Sequence, residues 1–101
     1  MGWEEKITLK ENTTSDEFGW SAAIYGNYAI VGAPGSNAEK AYLYLRENNG
    51  KWVKVSEQYN PIVKGDDFGR SVAIYGNYGI VGGNGGGVGS GGVAAIYQRM
   101  Y

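Results

Sequence analysis

The chain contains no cysteine, no histidine and only two prolines. The missing cysteine excludes disulfides and thiolate-bound zinc, so redox chemistry gives no sign of the compartment. The missing histidine removes the commonest general base, the Ser-His and Cys-His nucleophile pairs and the commonest neutral metal ligand. Catalysis would have to run through carboxylates, lysine, tyrosine or a cofactor, and a non-enzymatic role without a cofactor is expected. An excess of either charge is missing too: nine Lys and Arg stand against ten Asp and Glu, a formal net charge of −1. The basic residues are scattered from Lys6 to Arg99 without forming a stripe, which argues against nucleic acid as a partner, because affinity for phosphates needs gathered cations. The N-terminal MGWEEKITLKEN holds no apolar run of signal-peptide type, and no stretch approaches the roughly 18 apolar residues of a membrane span. A soluble chain without a targeting signal is expected.

Glycine and aromatic residues are what the chain has in quantity: 18 glycines, nine tyrosines and three tryptophans in 101 residues. That composition points to short strands and tight turns in one domain. The stretch 16–34, DEFGWSAAIYGNYAIVGAP, returns fifty residues later at 66–84 as DDFGRSVAIYGNYGIVGGN, with thirteen of nineteen paired positions identical. A period of that length marks a repeat architecture, in which no unit buries its apolar face alone.

In the first unit, apolar runs at 20–25 and 28–33 flank Gly26-Asn27, a hairpin signal, because a primed turn needs positive φ and both residues tolerate it. The little charge in these runs fits strands buried on both faces. A third strand is expected at 40–46 and, after Asn49-Gly50, a fourth at 51–57. The second unit repeats the pattern at 70–75, 78–83 and about 92–98 and then stops, one strand short. The missing strand has a counterpart at the other end: 3–9, WEEKITL, resembles 52–57 in its aromatic start, charges and short apolar alternation. The units are thus about 16–60 and about 66–101, the second completed by strand 3–9. An unpaired strand edge is one that proteins pair, cover or charge.

Phe18-Gly19 and Gly32-Ala33-Pro34, with Phe68-Gly69 in the second copy, resemble the FG-GAP repeats of integrin-like β-propellers and their bacterial relatives. The second copy departs at Gly82-Gly83-Asn84, where Gly-Ala-Pro is expected. The resemblance implies an all-β fold of four-stranded antiparallel blades packed radially, closed by an N-terminal strand that completes the last blade. Relatives are often extracellular. Two blades subtend too small an angle for a chain to close on itself, so the N-terminal strand is expected to complete the second blade of a neighbour, head to tail. Three chains and six blades are preferred to four chains and eight; a piece of a longer propeller is the competing reading. Family members often bind Ca²⁺ through an acidic loop between the first two strands, but Gly26-Asn27 and Gly76-Asn77 lack the carboxylates, and no metal site is expected.

The resemblance implies a binding module, with a glycan or a protein as ligand. The two rim positions after Phe-Gly differ, Trp20 in one unit and Arg70 in the other; they would alternate around a ring, one stacking on flat apolar faces and the other pairing with anions. Asp16, Glu17, Asp66 and Asp67 are either turn residues bonding their own backbone or a ring of carboxylates at the channel mouth, the latter being the basis of an alternative, carboxylate-based enzyme. The strand tyrosines are expected to fill the space between blades, although a carbohydrate groove would use the same residues. Three further motifs have ordinary readings. Asn12-Thr13-Thr14 is a solvated turn before it is a glycosylation acceptor. Asp67-Phe68-Gly69 is not a kinase motif in so short a chain. The formal Gly-x-Gly-x-x-Gly of Gly87, Gly89 and Gly92 precedes a strand rather than a helix, and reads as a flexible loop.

Overall fold

The turn signals and apolar runs produce strands within a few residues of their expected bounds. The computed structural model describes residues 2–11, 16–35, 39–61, 67–85 and 91–100. Strands β1 (Ser21–Tyr25), β2 (Tyr28–Ala33), β3 (Lys40–Arg46) and β4 (Trp52–Tyr59) form one antiparallel meander, sheet 1. Strands β5 (Ser71–Tyr75), β6 (Tyr78–Gly83) and β7 (Val93–Gln98) form sheet 2. The described residues contain no helix, and so none long and apolar enough to cross a membrane. The all-β expectation and the two meanders hold.

Local chemistry sets each turn. Tyr25 pairs with Tyr28 and Tyr75 with Tyr78 across two-residue loops. Of the central residues only Gly26 and Gly76 have positive φ, at 58° and 59°, which is the II′ rather than the I′ pattern. At the β3–β4 turn Gly50 donates its N–H to the Glu47 carbonyl and takes φ 88°, and the Asn49 side chain accepts from the Lys51 N–H. Between Leu43 and Tyr44 the β3–β4 register shifts, leaving Val55 as the extra residue of a bulge.

Side chains alternate across a strand, so each sheet has two distinct faces. One face of sheet 1, with Ile30, Ala41, Ala23 and Leu43, packs on the Val72, Ile74, Val81, Val93, Ala95 and Tyr97 face of sheet 2, around Phe68. The far face of sheet 1 gathers Ala29, Val31, Ala33, Tyr42 and Tyr44 with Phe18, Trp52 and Leu9. Strand β2 is accordingly buried on both faces, as expected. Strands β1 and β5 hold no buried residue, contrary to expectation. Strand β6 departs as well: Val81 is buried while Tyr78 and Ile80 are exposed, because nothing among the described residues covers the far face of sheet 2.

In the single chain residues 2–11 carry no strand; the ladder expected for 3–9 is with a neighbouring copy. They lie against the far face of sheet 1, where Glu4, Lys6, Ile7 and Leu9 share a cleft with Ala22, Ile24, Ala29 and Val31. A strand exists only with a partner for its N–H and C=O groups, and β7, the intended partner, stands on the other side of the molecule. The flexible loop expected at 82–92 with its Gly87 and Gly89, the Asn12-Thr13-Thr14 motif and Asp66 fall wholly or partly outside the described residues.

Candidate interaction surfaces

The contact between the two sheets is made by the Phe-Gly turn of the second unit. Asp67 to Arg70 close a tight turn, with the Arg70 N–H donating to the Asp67 carbonyl at 3.0 Å and Gly69 N–H to Gly82 O at 3.1 Å. Phe68 is wholly buried among Ile30, Ala41 and Val81. The Gly69 backbone then lies on sheet 1: the Ser21 hydroxyl donates to Gly69 O at 3.1 Å, and a Cβ on Gly32 would come within 1.9 Å of the same oxygen. At the other end of the inner strands the Tyr25 and Tyr75 rings meet at 4.9 Å.

The repeat supplies both halves of this contact a second time, on the two outer faces. The first-unit turn repeats the second-unit one, with Trp20 N–H donating to Glu17 O at 3.1 Å and Gly19 N–H to Gly32 O at 3.1 Å. Phe18, however, is only half-buried, lying edge-on to Tyr42 at 5.1 Å, and Gly19 is exposed. On the far face of sheet 2, register pairs Ile80 with Ile96 and Gly82 with Ala94, as Ile30 pairs with Leu43 and Gly32 with Ala41 in sheet 1. Ile30 is wholly buried, whereas Ile80 is 41% and Ile96 71% exposed. Sheet 2 thus shows outward the surface that sheet 1 presents to it.

Two clefts obey the same equivalence. A cleft of about 380 Å³ lies between Val55, Ser56 and Gln58 of β4 and Ile74, Gly76, Gly79 and Arg99 of sheet 2. A larger one, about 870 Å³, lies between Lys6, Ile7 and Leu9 and the corresponding Ile24, Gly26, Ala29 and Arg46 of sheet 1. With Trp3 aligned on Trp52, residues 6, 7 and 9 are the counterparts of 55, 56 and 58. The N-terminal segment therefore stands to sheet 1 as β4 stands to sheet 2. Strand β4 pairs with β3, while residues 2–11 pair with no strand and β7 pairs only with β6 among the described residues.

Of the expected rim residues, three come together. The Arg70 guanidinium lies over the Trp20 ring at 5.2 Å and faces Asp67 at 3.7 Å, with Trp20 51% exposed. Asp16 is buried in its own turn, where its carbonyl accepts from the Gly35 N–H. Glu17 and Asp67 take positive φ, 56° and 60°, at the start of the two Phe-Gly turns. No group of three or more acidic residues among the described residues is placed to hold a metal ion.

Residues 2–44 match the FG-GAP repeat family. Over that stretch the chain is similar to an FG-GAP repeat. The match begins at residue 2 and takes in the N-terminal segment, the turn, β1, β2 and β3 as far as Tyr44. The second Phe-Gly turn, Phe68-Gly69, sits in a sheet of the same register as the first. No curated protein and no solved structure matches the chain.

Two features of the repeated units escaped the sequence reading. Arg46 and Arg99 end the third strand of each unit, and each donates its backbone N–H to the Asn carbonyl of the Gly-Asn turn at 2.7 Å and its guanidinium to the same Asn side chain. Arg99 also lies 4.5 Å from the Tyr28 ring centroid, tying sheet 2 to sheet 1. The signal was present, an Arg 19 residues after each Asn in one unit and 22 in the other, but the loop lengths differ. The second feature is a charge network on the far face of sheet 1. Lys54 and Lys40 both pair with Glu57, at 2.7 and 3.0 Å, and hold its carboxyl down to about 2. Lys54 also reaches Glu11 at 3.2 Å, and the Tyr44 hydroxyl donates to Glu11 at 2.6 Å. Burial and this bond push the Tyr44 phenol above its ordinary range. Burial works against the Lys40 charge, but Glu57 and Tyr42 outweigh it and raise the ammonium above the usual lysine range.

Proposed function

We propose that the protein is a non-catalytic interaction module of β-propeller type that completes itself from copies of its own chain. Residues 3–9 of one copy form the fourth strand of sheet 2 in the next, pairing with the open edge of β7, head to tail. Three chains give a ring of six blades, in preference to four chains and eight. The rim of Trp20, Arg70 and Asp67, repeated around the ring, receives the ligand, a glycan or a partner protein; a stacking indole beside a guanidinium suits a sugar ring carrying an anionic group.

One observation carries this reading. The N-terminal segment already holds toward sheet 1 the place of β4 toward sheet 2, yet it lies on the face turned away from its own β7. A strand so placed finds its ladder only in another copy, and addition of a strand to an open sheet edge is a recurrent mode of recognition. Amide hydrogen exchange tests it. Amides of residues 3–9 are expected to gain protection as concentration rises, together with those of β7. Free exchange at 3–9 at every concentration would refute the strand exchange.

A further inference from the structure

We propose that the far face of sheet 2 receives the Phe18-Gly19 turn of a second copy of this chain, and that position 82 is glycine because the Gly19 carbonyl of that copy lies upon it. The proposal rests on the head-to-tail reading and names the surface by which the copies meet.

Gly82 lies inside β6, where glycine weakens a strand, and its φ is not among the positive values that would demand glycine. Within one chain a Cβ at 82 would meet the Ser71 hydroxyl at 2.8 Å and Val93 O at 3.8 Å. A hydroxyl turns aside. Its counterpart in sheet 1 is constrained differently, because a Cβ on Gly32 would stand 1.9 Å from Gly69 O and 2.9 Å from Gly69 C, which are backbone atoms. Glycine at 32 is required by the neighbouring turn; glycine at 82 has the same requirement only when a Phe-Gly turn arrives there.

The surroundings of Gly82 match that arrival. Ser71 holds the place from which Ser21 donates to Gly69 O, so it donates to Gly19 O of the second copy. Ile80 and Ala94 hold the places of Ile30 and Ala41, which share the core of Phe68, and Ile96 the place of Leu43, which packs against that core. Tyr75, exposed at its outer side, holds the place of Tyr25 and meets the next Tyr25. The complementary half is the half-buried Phe18, whose counterpart Phe68 is wholly buried. The Phe18-Gly19 turn and the Ser71, Ile80, Gly82, Ala94 and Ile96 face thus offer between chains the contact that their counterparts make within the chain, a heterologous contact that propagates around an axis.

The test compares the intact chain with Gly82→Ala and Ile96→Glu by light scattering across a concentration series, with circular dichroism reporting the fold of each. Gly82→Ala is expected to fold as the intact chain does and to associate roughly ten- to hundredfold more weakly, since a methyl group forced against backbone must part the two sheets. A Ser71→Ala, Gly82→Ala double variant removes the hydroxyl that the new methyl would crowd within the chain. It is expected to associate more weakly than Ser71→Ala alone. Ile96→Glu, changed at an exposed site, is expected to keep the fold and lose association, and it decides the matter if the glycine variants unfold. Association of both Gly82→Ala and Ile96→Glu at the intact level would overturn this joint while leaving strand exchange standing. An intact chain that stays monomeric throughout would overturn the head-to-tail reading, and this joint with it.

Discussion

Gly69 and Gly32 meet backbone to backbone: the carbonyl oxygen of Gly69 lies 1.9 Å from where a Cβ on Gly32 would stand. A Cβ on Gly69 would in turn stand 2.5 Å from Lys40 O, so neither residue tolerates a side chain. Here the two units meet next to Phe68, which enters the core between them. Gly32→Ala is expected to cost about 1–3 kcal/mol, because neither backbone can give way without parting the sheets. Urea unfolding measures it, and an unchanged midpoint would mean that the sheets do not meet in this way.

The two phenylalanines of the Phe-Gly turns should differ in weight. Phe68 is wholly buried between the sheets, and Phe68→Ala is expected to cost about 3–5 kcal/mol. Phe18 is half-buried against its own sheet, so Phe18→Ala should cost clearly less in dilute solution and weaken association instead. Equal losses of stability from the two variants at high dilution would contradict the difference in their surroundings.

Acid should release the network around Glu57. Lys54 and Lys40 hold its folded pKa near 2, below the ordinary 4.5, so its contribution is fully present above about pH 4.5. That contribution fades as pH falls toward 2, when the folded-state carboxylate takes up its proton. Glu57→Gln should flatten this part of the stability profile, measured by thermal unfolding between pH 2 and 5. Salt should weaken the effect, since these side chains are partly exposed. A wild-type profile without a decline in that window would count against the network.

Much of the fold was legible because its determinants are local. Tyr-Gly-Asn-Tyr between Ile- and Val-rich runs set both hairpins, and Asn49-Gly50 set the β3–β4 turn. Strand β4 runs to Tyr59, two residues past expectation, because the bulge at Val55 lets Lys40 and Ala41 pair with Tyr59 and Gln58. Residues 3–9 differ because their determinant is not local: a strand is a property of a pair, and in the single chain they carry no strand. The rim was partly legible. Equivalence of Trp20 and Arg70 set them alternately on one rim but gave no contact between them, and in the structure the guanidinium lies over the indole. Burial of Asp16 was not legible, because a carboxylate in a polar turn carries the same local pattern whether the chain closes over it or not.

Solution mass tests the central claim most directly, by light scattering on the intact chain and on a version lacking residues 1–10. The strand-exchange account predicts about three times 10.9 kDa for the intact chain, with four times as the other closed ring, and a fall to the single-chain mass on truncation. A well-folded monomer of 10.9 kDa, indifferent to the truncation, would contradict it.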